Sequence, residues 1–258
     1  MKDFKIDQLL DQIQTMFQKQ INPNQTVIRA IYLYGSYIRS DFIKGRSDLD
    51  FAVILDVGED VEHWVHPEFE QIGILIRDLV NQAPTGYFRL ESPDICSFSL
   101  IELEKAKKNE LKDIIGPLKL LTFLGFDFLS HNQLLWGEDI LQLFTRIPDP
   151  RDFAEERFNW IKKYYLGQVV NLGSDFFKLI ASLGSIIRYT AILNGLRSIS
   201  RSDLRSWALE YKEWPLGADE VLIPYFNFIQ GITEQTIIEH PDWIDKARYF
   251  IESLLGIE

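Results

Sequence analysis

The stretch that decides the fold reads Tyr-Gly-Ser-Tyr-Ile-Arg-Ser-Asp-Phe-Ile-Lys-Gly-Arg-Ser-Asp-Leu-Asp at residues 34–50. An apolar run leads into Gly35 and Ser36, and a second apolar run follows Asp48 and Asp50. This order predicts a strand, a turn of small residues, a short loop and a second strand. Side chains at positions i and i+2 of a strand point to the same face, so we expect the two carboxylates to face the same way.

The residue types in this stretch predict a site for a metal ion and phosphate groups. Small residues after a strand let a phosphate approach the backbone, and the Ser36 hydroxyl adds a hydrogen-bond donor. Acids that open a buried strand are costly unless water or a cation meets them, and Mg²⁺ prefers such oxygen ligands. The alternative is a charged surface loop. Two further Gly-Ser pairs, at 173–174 and 184–185, are not followed by paired acids.

Composition limits the classes of protein that the chain can belong to. The chain has 258 residues, of which 46% are hydrophobic and 25% charged, as in soluble globular proteins. A net charge of −11 argues against a protein that grips long nucleic acid, and it suits a cationic small-molecule partner or simply solubility. Cys96 is the single cysteine, which excludes an internal disulfide. With no leader pattern and no membrane-length apolar run, we expect a cytoplasmic protein.

Hydrophobic periodicity predicts the order of elements in the first part of the chain. Residues 3–20 form an amphipathic pattern, and residues 62–81 form a second helix after the two strands. Residues 87–101 look like a strand region, residues 102–115 are helix-periodic, and residues 134–139 look like a strand that turns into a short helix.

The second part of the chain is predicted to be helical throughout. Pro148 and Pro150 mark a boundary, and helical periodicity follows at about 152–170, 174–194, 201–212, 218–236 and 241–255. We therefore predict an α+β fold, with a mixed-sheet domain at residues 1–148 and an all-α domain at residues 149–258.

The order Gly35-Ser36, a gap, then Ser47-Asp48-Leu49-Asp50 resembles the signature of the DNA polymerase β-like nucleotidyltransferase superfamily. In that superfamily the two acids bind Mg²⁺, and the serine of the Gly-Ser pair contacts the phosphates of the nucleotide. The resemblance implies that Asp48 and Asp50 are metal ligands and catalytic residues. It also implies a nucleotide-binding role for Gly35, Ser36 and Ser47.

The superfamily has a third carboxylate on a later strand, and two residues of this chain compete for that role. The resemblance favours Asp94, which would bind metal or take a proton from an acceptor hydroxyl, with Glu91 as the runner-up. The structural alternative is that Asp94 merely starts a strand after Pro93.

Other charged residues near the signature have weaker assignments. Lys44 and Arg46 could assist phosphate binding, and a solvated loop explains them equally well. His63 and His66, with Glu68, are predicted to form a solvated helix start rather than a metal cluster.

The helical part resembles the corresponding domain of aminoglycoside (streptomycin and spectinomycin) 3″-adenylyltransferases. Arg188 begins an Arg-Tyr-Thr-Ala run, Gly195 follows, Arg201 comes thirteen residues after Arg188, and Trp207 comes six after Arg201. The resemblance implies that both arginines reach the phosphates of ATP across a cleft between the domains. Arg201 stands where the family usually has lysine, and the structural alternative is two exposed helix faces.

The residues expected to bind the acceptor depart from that family. No tryptophan occurs in residues 116–120, where the family places one. On the helix that leads to Arg188, Asp175 is the sole candidate acid, and Lys178 stands where an acid is expected.

These features predict a Mg²⁺-dependent nucleotidyltransferase that moves AMP from ATP to a hydroxyl of a small-molecule acceptor. Aminoglycosides, and therefore antibiotic resistance, are one option for the acceptor and the role. The alternative is a regulatory or antitoxin-like protein of the same fold that binds nucleotide or modifies a protein partner. The sequence fixes neither the acceptor nor the oligomeric state.

Overall fold

The structure is a computed structural model that describes residues 4–89, 92–107, 128, 130–143, 151, 154–155, 158–159, 176–198, 200–232 and 238–256. The chain divides into two compact units, Met1–Pro148 and Asp149–Glu258. Within the described residues, no helix has both the length and the apolar character needed to cross a bilayer. Glu91, Asp175, residues 116–120 and the side chain of Lys178 lie outside the described part of the chain.

The first unit combines helices and strands along the described part of the chain. Its elements are α1 (Ile6–Gln20), β1 (Ile28–Tyr34), β2 (Asp50–Leu55), α2 (Pro67–Val80), β3 (Asp94–Ser99), α3 (Leu100–Lys107) and β4 (Asn132–Gly137). Single 3₁₀ turns lie at His63–Val65 and Ile140–Leu143. The strands are rich in β-branched and aromatic residues, and every residue of β1 except Arg29 is buried.

The four strands form one mixed sheet in the order β3-β2-β1-β4. Strand β1 pairs antiparallel with both β2 and β4, whereas β2 and β3 run parallel. Parallel neighbours need a crossover connection, and α2 lies in the segment that joins β2 to β3. The mixed sheet with helices confirms the predicted fold class.

The sheet has two faces, which bury different sets of residues. On one face, Leu33, Phe51 and Val53 belong to the same buried cluster as residues of α1 and α2. The opposite face buries a cluster that includes Tyr32, Tyr34, Ala52, Ile54, Cys96, Phe98 and Phe128. We call this second surface the aromatic face. Because side chains alternate along a strand, Asp50 and Asp94 share the aromatic face with Ala52 and Cys96.

The second unit is helical throughout its described elements, as predicted. These are α4 (Phe176–Leu193), α5 (Arg201–Glu210), α6 (Asp219–Ile229) and α7 (Pro241–Leu255). Helix α5 begins after Ser200, whose Oγ accepts a hydrogen bond from the backbone N–H of Asp203 at 3.1 Å. Each helix contributes buried apolar residues, such as Ile187, Leu204, Phe226 and Phe250.

The structure corrects the predicted end of the strand region at residues 87–101. Strand β3 stops at Ser99, and α3 begins at Leu100. The cause is a reciprocal cap: Ser99 Oγ accepts from the backbone N–H of Glu102 at 3.1 Å, and Glu102 Oε2 accepts from the N–H of Ser99 at 2.9 Å. This Ser-x-x-Glu pattern starts a helix two residues earlier than hydrophobic periodicity predicted.

The prediction of a solvated helix start at His63 and His66 is wrong for His63. Its ring is buried, with Nδ1 2.8 Å from Ser97 Oγ and Nε2 3.1 Å from Glu102 Oε1. His66 instead precedes α2, and its Nδ1 accepts from the backbone N–H of Glu68 at 3.3 Å. His63 therefore links the 3₁₀ turn to β3 and α3, and it does not form a metal cluster with His66.

Candidate active site

The turn after β1 brings backbone and carboxylate into direct contact. Gly35 has a φ of +83°, and a Cβ built on it would lie 2.0 Å from Asp50 Oδ2. No side chain fits in that space, so glycine is what allows the Asp50 carboxylate to lie against the main chain. The turn is then closed by Arg39 N–H donating to Gly35 O and by Asp41 N–H donating to Ser36 O, at 3.1 and 3.0 Å.

Ser36 carries a buried hydroxyl at this turn. The residue is only 5% exposed, and its Oγ has no hydrogen-bond partner among the residues that the structure describes. A buried polar atom of this kind usually has a partner, and a ligand oxygen is the kind of group that could supply one. The position of Ser36, directly after Gly35, fits the predicted phosphate contact.

Asp50 and Asp94 are neighbours across the sheet. They are register partners in the parallel pair of β2 and β3, and Tyr34 is the partner of Asp50 on the other side. Directly opposed residues have Cβ atoms about 5 Å apart and point to the same face. The structure thus brings together two of the three predicted catalytic carboxylates.

The surroundings of the Tyr34 hydroxyl agree with this arrangement of the acids. Burial raises the pKa of the Tyr34 hydroxyl well above its usual range, and the nearby Cys96, Asp50 and Asp94 raise that pKa further. Tyr34 is the register partner of Asp50, which in turn is the register partner of Asp94. The Tyr34 hydroxyl lies 3.5 Å from Cys96 Sγ, and it stays protonated beside the acid pair.

Asp48 lies two residues before β2, and it has a partner that the sequence did not predict. Its Oδ2 is 2.5 Å from Nη2 of Arg89, in the segment between α2 and β3. Backbone hydrogen bonds join the same two segments, from Arg89 N–H to Ser47 O and from Asp94 N–H to Leu49 O, both at 3.0 Å. Arg89 belongs to no motif, and only its position in the fold identifies it.

The remaining residues of the loop are held by internal contacts. Ser47 is fully buried, and its Oγ accepts from the N–H of Ile43 at 2.9 Å, so the hydroxyl helps to shape the loop. Lys44 Nζ lies 5.0 Å from the centre of the Tyr87 ring. Arg46 is only partly exposed, and this burial lowers the pKa of its guanidinium. The phosphate contact of Ser47 stays a prediction.

In the second unit, Arg188 of α4 and Arg201 of α5 act on one buried hydroxyl. Burial raises the pKa of Tyr225, and the positive charges of Arg188 and Arg201 oppose that rise. The Tyr225 hydroxyl packs tightly against α4, since a Cβ built on Gly184 would lie 2.3 Å from it. Both predicted phosphate-binding arginines thus lie in the surroundings of Tyr225, and both are only partly exposed. The alternative of two exposed helix faces does not describe them.

The first-unit acids have the chemistry that a metal–nucleotide complex needs. Asp50 and Asp94 supply adjacent hard oxygen donors, Gly35 lets the Asp50 carboxylate lie against the turn, and Ser36 supplies a buried hydroxyl. Within the described residues, no set of three Asp, Glu, His or Cys side chains is already gathered at metal-binding distance. Asp48 is instead directed to Arg89, which fits the mutual repulsion of three carboxylates.

Comparison with known proteins agrees with the signature. The family described as nucleotidyltransferase domain matches residues 7–115. No curated protein matches the sequence significantly. Among solved structures, one with a similar fold is the spectinomycin adenyltransferase AAD(9) from Enterococcus faecialis, crystallised with ATP and spectinomycin. The TM-score is 0.60 and the sequence identity is 15%, and the match covers 97% of this chain and 99% of that chain.

A second solved structure is a toxin–antitoxin with AMP-PNP, which covers 64% of this chain and 98% of that chain at 14% identity. Its TM-score of 0.29 is too low to carry an argument. The likeness to the first structure shows the fold alone. Together with the family match, it confirms the resemblance inferred from the Gly-Ser and Asp-x-Asp signature.

Proposed function

We propose that this protein, whose residues 7–115 match the nucleotidyltransferase domain family, moves AMP from ATP to a hydroxyl group of a small-molecule acceptor. The observation that carries the proposal is the contact of the Asp50 carboxylate with Gly35, beside Asp94 and the buried hydroxyl of Ser36. Carboxylates next to a phosphate-binding turn can position a metal-bound triphosphate for attack.

Each residue of the site has a defined task in this proposal. Asp48 and Asp50 would hold Mg²⁺, which neutralises charge on the phosphates. Asp94 would accept the proton of the acceptor hydroxyl, or it would hold a second Mg²⁺ ion. The acceptor oxygen then forms a bond to the α-phosphorus, the bond from that phosphorus to the bridging oxygen breaks, and pyrophosphate leaves. The products are the adenylylated acceptor and pyrophosphate.

For the acceptor we propose a chemical class and not a single compound. The net charge of −11 suits a cationic polyol, and the structural relative is named for spectinomycin. We propose aminoglycosides as the first class to test, with antibiotic modification as the corresponding role. We also propose that residues 1–148 form the catalytic nucleotidyltransferase domain and that residues 149–258 form a helical C-terminal domain. The use of ATP favours a cytoplasmic protein.

The test is pyrophosphate release from Mg²⁺–ATP in a screen of aminoglycosides, other polyols, nucleotides and proteins. We expect release that needs both Mg²⁺ and one class of acceptor, and mass spectrometry should show the acceptor heavier by one AMP group. Binding of ATP by calorimetry, with no release for any acceptor, would overturn the proposal and favour the regulatory alternative.

Ser36→Ala should weaken ATP binding without loss of stability. The Oγ has no partner among the described residues, so its removal breaks no hydrogen bond within that part of the protein. One lost hydrogen bond to a charged phosphate corresponds to about a ten-fold rise in the KM for ATP. Steady-state kinetics and urea denaturation measure the two effects. An unchanged KM would remove Ser36 from the nucleotide site.

Arg188→Gln and Arg201→Gln should each raise the KM for ATP about ten-fold or more. A guanidinium binds phosphate through two parallel hydrogen bonds, which a neutral amide does not reproduce. Arg197→Gln is a suitable control, since Arg197 is exposed and lies between the two in sequence. Equal KM values in all three variants would contradict the proposed phosphate contacts.

A further inference from the structure

The ion pair between Arg89 and Asp48 joins a cation to one of the proposed metal ligands. The side chain of Asp48 is 18% exposed, and that of Arg89 is 52% exposed. Arg89 is therefore anchored at its backbone, through its hydrogen bond to Ser47 O, while its guanidinium remains at the surface. A long side chain held in this way can change partner without any movement of the main chain.

The same carboxylate serves two cations in the proposed reaction cycle. An ion pair whose arginine is half-exposed to solvent is weak, so a divalent ion can replace the arginine on Asp48. The displaced guanidinium then lies beside a triphosphate that carries several negative charges. Arg89 suits that partner, since guanidinium groups pair with phosphate oxygens in a bidentate manner.

We propose that Arg89 is a nucleotide-binding residue that pairs with Asp48 in the unliganded protein and passes to the phosphates of ATP when Mg²⁺ takes its place. This inference rests on the proposed metal–nucleotide site. It predicts that Arg89→Gln changes the affinity for metal alone and the affinity for metal-bound ATP in opposite directions. Removal of the arginine charge frees Asp48 and strengthens binding of metal alone, whereas binding of metal-bound ATP becomes weaker.

The experiment is calorimetric titration of Arg89→Gln with Mn²⁺ alone, and with ATP at saturating Mg²⁺ and no acceptor. We expect Mn²⁺ to bind about two- to five-fold more tightly than to the wild type, which is the strength of one exposed ion pair. We expect ATP to bind about ten-fold more weakly. Arg89→Lys keeps the charge, so its Mn²⁺ affinity should stay near that of the wild type.

A matched control pair lies at the other end of β2, between Arg29 of β1 and Asp56, which directly follows β2. Arg29 Nη2 is 2.5 Å from Asp56 Oδ2, with side-chain exposures of 41% and 43%, beside the Ile28–Leu55 end of the β1–β2 pair. Arg29→Gln removes the same kind of ion pair away from the acids. It should change neither affinity. If the loss of any ion pair of this kind changed the affinities for Mn²⁺ and ATP, Arg29→Gln would change them as well.

The outcomes separate this inference from the function on which it rests. Asp50→Asn should weaken Mn²⁺ binding in the wild-type background. If Asp50→Asn leaves Mn²⁺ binding unchanged, the proposed metal site is wrong and the role of Arg89 falls with it. If Asp50→Asn weakens binding while Arg89→Gln leaves Mn²⁺ affinity unchanged or lower, the metal site stands and the inference alone is overturned. An unchanged ATP affinity in Arg89→Gln also overturns it.

Discussion

Asp50→Asn should reduce pyrophosphate release by about a thousand-fold or more, which corresponds to about 4 kcal/mol of transition-state stabilisation. Asp50 is the acid that contacts Gly35 and that has Asp94 as its register partner. Asparagine keeps the shape of the side chain and removes the charge that holds the metal. Asp48→Asn is expected to act in the same direction. Steady-state kinetics with the acceptor found in the screen measures the loss.

The same substitution should leave the protein as stable as the wild type, or more stable. Asp50 and Asp94 are like charges opposite each other in a sheet, and such pairs are destabilising by up to about 1 kcal/mol. Removal of one charge relieves that repulsion. Urea denaturation without metal should therefore show an equal or higher free energy of unfolding for Asp50→Asn.

Asp56→Asn is the control for this prediction. Asp56 directly follows the other end of β2, is bound by Arg29, and is far from the acid pair along the strand. Its variant should release pyrophosphate at close to the wild-type rate. Near wild-type turnover in Asp50→Asn would contradict the mechanism, and a comparable loss in Asp56→Asn would show that the effect is not specific to the site.

The features that the sequence predicted are those determined by short segments. The two strands around Gly35-Ser36 follow from apolar runs, and the turn follows from the small residues between them. Asp94 was selected through the resemblance to the superfamily, and the parallel pairing of β2 with β3 makes it the register partner of Asp50. Helical periodicity likewise predicted the four helices described in the second unit.

The features that the sequence missed depend on contacts between distant segments. His63 is hydrogen-bonded to Ser97 and Glu102, which come 34 and 39 positions later in the chain. Because of these contacts, a histidine that the sequence predicted to be solvated is buried. Arg89 carries no motif and reaches Asp48 only because backbone hydrogen bonds join the two segments. A local sequence pattern indicates which residues are apolar, but it does not indicate which charged residues from distant segments form contacts.

Gly35→Ala should have a large effect on both stability and activity. The added Cβ would lie 2.0 Å from Oδ2 and 2.7 Å from Cγ of Asp50, so either the carboxylate or the turn must move. Strain at a φ of +83° adds about 1 kcal/mol to the cost of the clash. We expect the free energy of unfolding to fall by about 3 kcal/mol and pyrophosphate release to fall about a hundred-fold or more.

Gly217→Ala separates the clash from the backbone strain. Gly217 has the same φ of +83°, but a Cβ built there meets nothing within 4 Å. Its variant should lose only about 1 kcal/mol and should keep its activity. If both variants lose the same stability, the contact with Asp50 does not explain the requirement for glycine at residue 35.

A second substitution identifies the partner in the clash. Asp50→Ala removes the two atoms closest to the added Cβ, after which the nearest atom is the Asp50 Cβ, at 3.1 Å. In the Asp50→Ala background, Gly35→Ala should therefore lower the free energy of unfolding by about as much as Gly217→Ala does. Urea denaturation of the wild type, the two single variants and the double variant measures the difference. An undiminished cost would mean that the turn itself, rather than the carboxylate, requires glycine. A diminished cost would tie the glycine of the Gly-Ser pair directly to the position of the catalytic acid.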